Sequence, residues 1–166
     1  MLAAVDVCYT HATAHAAAVV FVDWSAFEPL AQYTLEVPVT HTYVPGRFYR
    51  RELGPLAAVL EQVRQPLACV IVDGYATFGP DRPALGGYLF DRLGGKVAVV
   101  GVAKRKFHPA QGEIAVVRGS SRRPLYITSV GLPVETAAQA VAKMHGRHRI
   151  PTLLKLADRL SRSLEG

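Results

Sequence analysis

The stretch Leu67-Ala68-Cys69-Val70-Ile71-Val72-Asp73-Gly74 decides the fold class. Its first six residues are apolar without interruption, so no position is left for a solvent face. A run this short, turning β-branched toward its end, marks a strand covered on both sides, as in a parallel sheet. It stops on Asp73 and Gly74, a carboxylate and a turn residue at the strand's carboxyl end, the edge where open α/β sheets bind ligands. Val97–Val102 repeats the pattern. Between the two runs Ala84–Leu93 reads as a helix, weakened at its centre by Gly86-Gly87. Ahead of them Leu53, Leu56, Ala57, Leu60 and Val63 recur at helical spacing, with Glu61, Gln62 and Arg64 left for water and Pro66 as the stop.

Working outward, Leu2–Tyr9 reads as a first strand, His11–Ala14 as a turn, Ala16–Asp23 as a second strand and Leu30–Val37 as a third. Such short connections suit an antiparallel meander. Past Val102, Glu113–Arg118 and Pro124–Val130 predict a peripheral hairpin or paired edge strands, and Val134–His145 a helix. Pro151 opens a last helix over Thr152–Leu164, with Leu153, Leu156, Ala157 and Leu160 as its packed stripe. The expected fold is therefore α/β: a mixed sheet, a three-stranded antiparallel meander followed by parallel strands, with helices on both faces. No linker or repeat divides the chain, so residues 1–166 are expected to form one domain.

Composition excludes several classes. Half of the 166 residues are hydrophobic and 19% are charged, which is incompatible with a disordered chain. No run of 18 apolar residues exists to span a membrane. Cys8 and Cys69 both lie in apolar segments, too few for a disulfide framework or an all-cysteine zinc site. With no basic segment ahead of Asp6, a cytoplasmic protein is expected, and without an interface signal a monomer. Charge is unevenly placed. Residues 1–100 hold seven Lys/Arg against nine Asp/Glu, whereas residues 101–166 hold twelve against four. A basic final third can steer a polyanion toward the molecule, or simply form a solvated surface.

The informative side chains are carboxylates in unsuitable places. Asp6 interrupts the apolar strand Leu2–Cys8, where an unpaired charge is costly. It is either a hydrogen-bonded structural residue or a ligand projecting into a cleft. Asp73, at its strand end, is either a turn residue or a partner of Asp6 on a hard cation. Glu52 opens the amphipathic helix, where it favours the helix N-terminus or completes a three-carboxylate cluster. Asp158, beside the stripe of the last helix, offers a fourth. Carboxylate oxygens suit octahedral Mg²⁺, with Mn²⁺ as the other candidate. Lys104, just beyond Val97–Val102, is either an ordinary surface lysine or reaches the same edge, with Arg105 and Lys106 widening an anion-binding surface. Tyr43, in the turn-rich Thr42–Gly46, either packs within that loop or stacks on or wedges beside a base. His11 and His15 fall about a β turn and make no zinc pair, and Gly94-Gly95-Lys96 is too short for a phosphate loop.

Taken in order, these segments resemble the endonuclease V family: Asp6-Val7-Cys8-Tyr9, Tyr43-Val44-Pro45-Gly46-Arg47-Phe48-Tyr49-Arg50-Arg51-Glu52, Val72-Asp73-Gly74, Gly101-Val102-Ala103-Lys104, Pro124-Leu125-Tyr126-Ile127-Thr128 and Ala157-Asp158. The resemblance implies an RNase-H-like core and a Mg²⁺- or Mn²⁺-dependent endonuclease that nicks DNA near deoxyinosine or RNA near inosine, with DNA the favoured partner. The cut is expected at the second phosphodiester bond on the 3′ side, leaving 3′-hydroxyl and 5′-phosphate ends. It makes Asp6 and Asp73 the metal ligands, Glu52 the third catalytic carboxylate and Lys104 a support for phosphate chemistry. Asp158 falls at a family position near the metal, and Tyr43 at the aromatic wedge. Arg47, Arg50, Arg51, Arg82, Arg105 and Lys106 are the expected nucleic-acid contacts. The chain departs from the family at Tyr75 and Gly79, where histidines are usual, at Asp81 for an arginine, at Gly131-Leu132 for Gly-His, and at Pro151–Lys155. It also starts almost at the first strand, without the family's upstream helical segment. Because these changes fall on the lesion pocket, a catalytically weak or inactive nucleic-acid-binding protein of the same fold is the alternative.

Overall fold

The computed structural model describes residues 1–39, 42, 44, 45, 47 and 49–163. Its elements are β1 (Leu2–Tyr9), β2 (Thr13–Phe21), β3 (Ala31–Pro38), α1 (Tyr49–Glu61), β4 (Cys69–Asp73), α2 (Leu85–Arg92), β5 (Ala98–Ala103), β6 (Ile114–Val116), β7 (Leu125–Val130), α3 (Val134–Lys143) and α4 (Thr152–Ser163). The strands form one sheet in the order β3-β2-β1-β4-β5-β7-β6. The meander β1–β3 is antiparallel, β1, β4 and β5 run parallel to one another, and β7 returns antiparallel beside β5. The mixed sheet and its order of strand types are those expected.

Alternation sorts the core into two layers. Leu2, Ala4, Cys69, Ile71, Val100, Val102, Leu125 and Ile127 face α3 and α4, meeting Ala137, Val141, Leu153 and Ala157. Ala3, Val5, Val70, Val72 and Val99 face α1 and α2, meeting Leu56, Val59, Leu60, Leu85 and Leu89. Helices thus cover both faces. Among the described residues, no helix is long and apolar enough to cross a membrane.

The differences from the sequence reading have local causes. β2 begins earlier, at Thr13, because the Thr10 amide closes a tight turn onto the Thr13 carbonyl. It also ends earlier, since Asp23 turns away to accept hydrogen bonds from the Ser25 amide (2.8 Å) and hydroxyl (2.7 Å). Helix α1 closes at Glu61, ahead of Pro66, as the Gln62 and Val63 amides tighten onto carbonyls three residues back. The predicted hairpin is not wholly peripheral. Of its two strands only β6 is at an edge, and β7 lies inside the sheet with Leu125 and Ile127 fully buried. The Gly86-Gly87 pair is a packing device: a Cβ on Gly86 would lie 2.7 Å from the Ala76 Cα, and one on Gly87 would lie 2.9 Å from the Ala76 carbonyl oxygen. Bare glycine backbone lets α2 press against the segment that follows Asp73.

Candidate active site

Three parallel strands deliver side chains to one rim by simple period-two arithmetic. Ala4, Ile71 and Val102 point to the α4 face, so Asp6, Asp73 and Lys104, each two residues further on, emerge on that same face at the carboxyl edge. Asp73 and Lys104 meet directly, with Nζ donating to Oδ2 at 2.8 Å and both side chains about two-fifths exposed, at 42% and 41%. Burial works against the lysine charge, but the bond to Asp73 and the negative charges of Asp73, Asp158 and Asp6 together outweigh it and raise the Lys104 pKa.

Asp6 is held differently. It is largely buried, and Ser161, fully buried on α4, donates its hydroxyl to Asp6 Oδ2 at 2.6 Å. Burial pushes the Asp6 carboxyl up to about 6; the charges of Asp73 and Asp158 add to this, while Ser161 and Lys104 oppose it. Asp158, on the same helix, accepts from Arg162 Nε at 3.1 Å. Glu52, in the first turn of α1, comes from the opposite face of the sheet. Burial, then repulsion from Asp6 and Asp73, pushes its carboxyl up to about 8, against the pull of Arg51.

Asp6, Asp73, Lys104 and Asp158 all line one cavity of 430 Å³, whose remaining polar wall is His148, Arg149 and Lys155. Glu52 is not in that wall; it reaches the group through its charge interaction with Asp6 and Asp73. Among the described residues, no three His, Cys, Asp or Glu side chains stand ready as a metal cage. The Lys104 ammonium occupies Asp73, and Ser161 occupies one oxygen of Asp6.

The expected nucleic-acid contacts divide. Tyr43 lies outside the described residues. Arg47, Arg50 and Arg105 are exposed, and Arg50 Nε donates to the Tyr49 hydroxyl at 3.4 Å. Lys106 lies 3.9 Å from Glu113. Two others serve the fold as they stand. Arg51 lies over the Tyr9 ring at 3.8 Å from its centroid, and Arg82 Nη1 donates to the Pro109 carbonyl at 3.0 Å. Tyr75, at a family histidine position, likewise ties loops together. Its hydroxyl accepts from the Phe107 amide at 2.8 Å, and its ring sits beside those of Phe78 and Phe107.

Sequence reasoning missed Ser161, Arg118 and Arg149. Ser161 had a signal, because it continues the buried 153–157 spacing by one more turn and is polar. Arg118 had a weaker one: it extends the alternation through Ile114 and Val116 and is buried in its turn. Arg149, which donates to the carbonyls of Lys104, Arg123 and Pro124, had none.

The family model for Endonuclease V matches residues 1–120. Endonuclease V of Nocardia farcinica is 30% identical over 183 residues, covering 98% of this chain and 80% of that protein. The crystal structure of endonuclease V from Streptomyces avermitilis superposes with a TM-score of 0.80 at 26% identity, over 99% of this chain and 80% of its own. That of Ciona intestinalis endonuclease V, in complex with a 24mer DNA containing an inosine followed by a ribo-adenosine, gives 0.80 at 18% identity, over 99% and 84%. Sheet order, flanking helices and sequence agree: the chain belongs to the endonuclease V family, a nuclease family with an RNase-H-like fold.

Proposed function

We propose that the chain, acting as one domain and one copy, is a divalent-metal-dependent endonuclease. It hydrolyses a phosphodiester bond near deoxyinosine in DNA, or near inosine in RNA, leaving 3′-hydroxyl and 5′-phosphate ends. The observation that carries this reading is the convergence of Asp6, Asp73, Asp158 and Lys104 on one cavity at the carboxyl edge of three parallel strands. Family membership supports the reaction class, and the inosine-containing DNA bound by the Ciona relative supports the lesion.

The donor set fits a hard cation. Its members are oxygen ligands, and the charges of Asp73 and Asp158 add to the burial that raises the Asp6 pKa, so the protein gathers more negative charge here than Lys104 neutralises. Asp6 and Asp73 would hold the ion, Mg²⁺ or Mn²⁺. When bound, such a cation polarises a phosphoryl oxygen and makes a water molecule more acidic. Ser161 fixes the Asp6 carboxylate by taking up one lone pair of Oδ2. Glu52 is the third catalytic carboxylate, and it gives up its proton more readily once the charges of Asp6 and Asp73 are compensated. Lys104 exchanges Asp73 for a non-bridging phosphate oxygen as substrate arrives, and Asp158 closes the cavity from α4. Arg47, Arg50, Arg105 and Lys106 meet backbone phosphates, with Arg51 and Arg82 bracing the loops that carry them. Tyr43 is the wedge beside the lesion, and DNA is the favoured substrate.

The test is a strand-cleavage assay on labelled inosine-containing and matched unmodified DNA and RNA, with Mg²⁺ or Mn²⁺. Nicking of the inosine strands, lost in Asp6→Asn and in Asp73→Asn, is expected. Absence of cleavage of all four substrates by the folded protein overturns the reading.

A further inference from the structure

Two arginines are committed to backbone. Arg118, at the end of the β6 segment, is buried and donates to the carbonyls of Met144 (2.5 Å), His148 (2.8 Å), Gly146 (3.1 Å) and Arg149 (3.1 Å). Arg149 in turn donates to Arg123 (2.9 Å), Pro124 (2.9 Å) and Lys104 carbonyls. Together they draw three segments side by side: 104–106 after β5, 122–124 before β7, and 144–149 before α4. Each segment turns cations outward, namely Arg105 and Lys106, Arg122 and Arg123, and Arg147. Among the described residues, Lys106 has Glu113 at 3.9 Å, while Arg105, Arg122, Arg123 and Arg147 form no ion pair. Like charges gathered without counter-charge repel, and seven carbonyl bonds from two guanidinium groups hold them together nonetheless. The shelf adjoins the cleavage cavity, because Lys104, His148 and Arg149 belong to the cavity wall.

We propose that this three-segment shelf is the docking surface for the nucleic-acid strand flanking the cleaved bond, gripping its phosphates without reading bases. The inference rests on the nuclease reading and locates the part of the substrate that lies outside the carboxylate cavity. Phosphate contacts set register and orientation, which is what a strand entering a narrow carboxylate site needs. Arg122, Arg123 and Arg147 are the new members of the contact set. Arg118 and Arg149 are the frame, bonded to carbonyls rather than offered to substrate.

The test is fluorescence anisotropy with a labelled inosine-containing duplex in EDTA, across 50 to 200 mM salt, which reads binding without cleavage. Replacing Arg122, Arg123 and Arg147 with alanine keeps every carbonyl that Arg118 and Arg149 bind. This triple variant should weaken binding ~10-fold or more and make the log K against log salt slope shallower by about 2 to 3, at roughly 0.9 for each phosphate no longer neutralised. The same three positions as lysine should restore the slope, since charge rather than packing is at work. A control with Arg64, Arg92 and Lys96 as alanine, at the amino ends of β4 and β5, should bind as wild type. The proposal is overturned if the shelf variant keeps wild-type affinity and slope, or if the control loses as much. Should the wild type bind no nucleic acid, the shelf falls and the cleavage assay decides the nuclease reading separately; should it bind while the shelf variant is unaffected, only the shelf falls.

Discussion

Asp6 lies one residue past the last parallel pair of β1 with β4, Asp73 ends β4, and both face the same side of the sheet, yet the fold treats them oppositely. Asp73 is well exposed and its charge is met by Lys104 at 2.8 Å. Asp6 is largely buried under α4 and has a neutral partner, Ser161, so its carboxyl is pushed up to about 6. One carboxylate is satisfied by its surroundings, the other is kept short of counter-charge. A site built only for stability would have paired both or replaced Asp6 with an apolar residue, because the attraction within a buried ion pair rarely offsets its desolvation. On the proposed nuclease reading, Asp6 is the residue whose burial is compensated by the cation it would bind.

The largest effect should come from asparagine at each position. Both Asp6→Asn and Asp73→Asn are expected to lower cleavage by ~10³-fold or more, a loss of about 4 kcal/mol in transition-state stabilisation. Their stabilities should part. Asn at position 6 still accepts from Ser161 and sheds a buried charge, so the metal-free variant should unfold at a higher temperature at pH 8, by up to about 3 kcal/mol from a shift of some two pKa units. Asp73→Asn removes only an exposed ion pair, and its thermal midpoint should stay near that of wild type. Equal midpoints for the two variants would erase the contrast.

The pH dependence follows from the same contrast. Asp6 and Glu52 have folded pKa values near 6 and 8, above the 3.8 and 4.5 of free side chains. The native state then holds more protons than the unfolded state, so stability falls as pH rises from about 4 toward 8. Thermal melts in EDTA should show this decline, and Mn²⁺ added at pH 8 should reverse part of it by binding the folded state alone. Glu52→Gln should flatten the upper half of the curve and Asp6→Asn the lower half. A wild-type midpoint that rises over this range would contradict the burial of both groups.

Much of this site is legible in the sequence. An aspartate inside an otherwise apolar strand, and another at the end of a continuous apolar run, announced both positions, because burial and strand period act within a few residues. Its place beside a helical stripe made Asp158 only a candidate, and the family resemblance put it near the site. Long-range pairing was not legible: nothing in Pro124–Val130 says that it returns to lie beside β5 rather than at the edge. Arginines that bind carbonyls leave no spacing rule either, so Arg149 looked like one more surface cation. Gly86-Gly87 reads in the sequence only as a weakness of the helix, for a related reason. Its cost to the helix is local and visible, whereas the close approach to Ala76 that requires it is tertiary.

Ser161 supplies the smallest and most discriminating change. Its hydroxyl touches Asp6 Oδ2 at 2.6 Å and lies 2.9 Å from the Asp158 carbonyl, so it links two walls of the cavity while carrying no charge. Ser161→Ala should leave the Asp73–Lys104 pair intact and let the Asp6 carboxylate turn. Residues that orient a ligand in this way typically contribute about 10- to 100-fold to metal affinity, and a loss of that size in Mn²⁺ titrations by calorimetry is expected. Ser161→Thr should recover most of it, because the hydroxyl returns. If alanine and threonine bind Mn²⁺ as tightly as wild type, Asp6 is oriented by its strand alone and the asymmetry between the two aspartates is one of burial only.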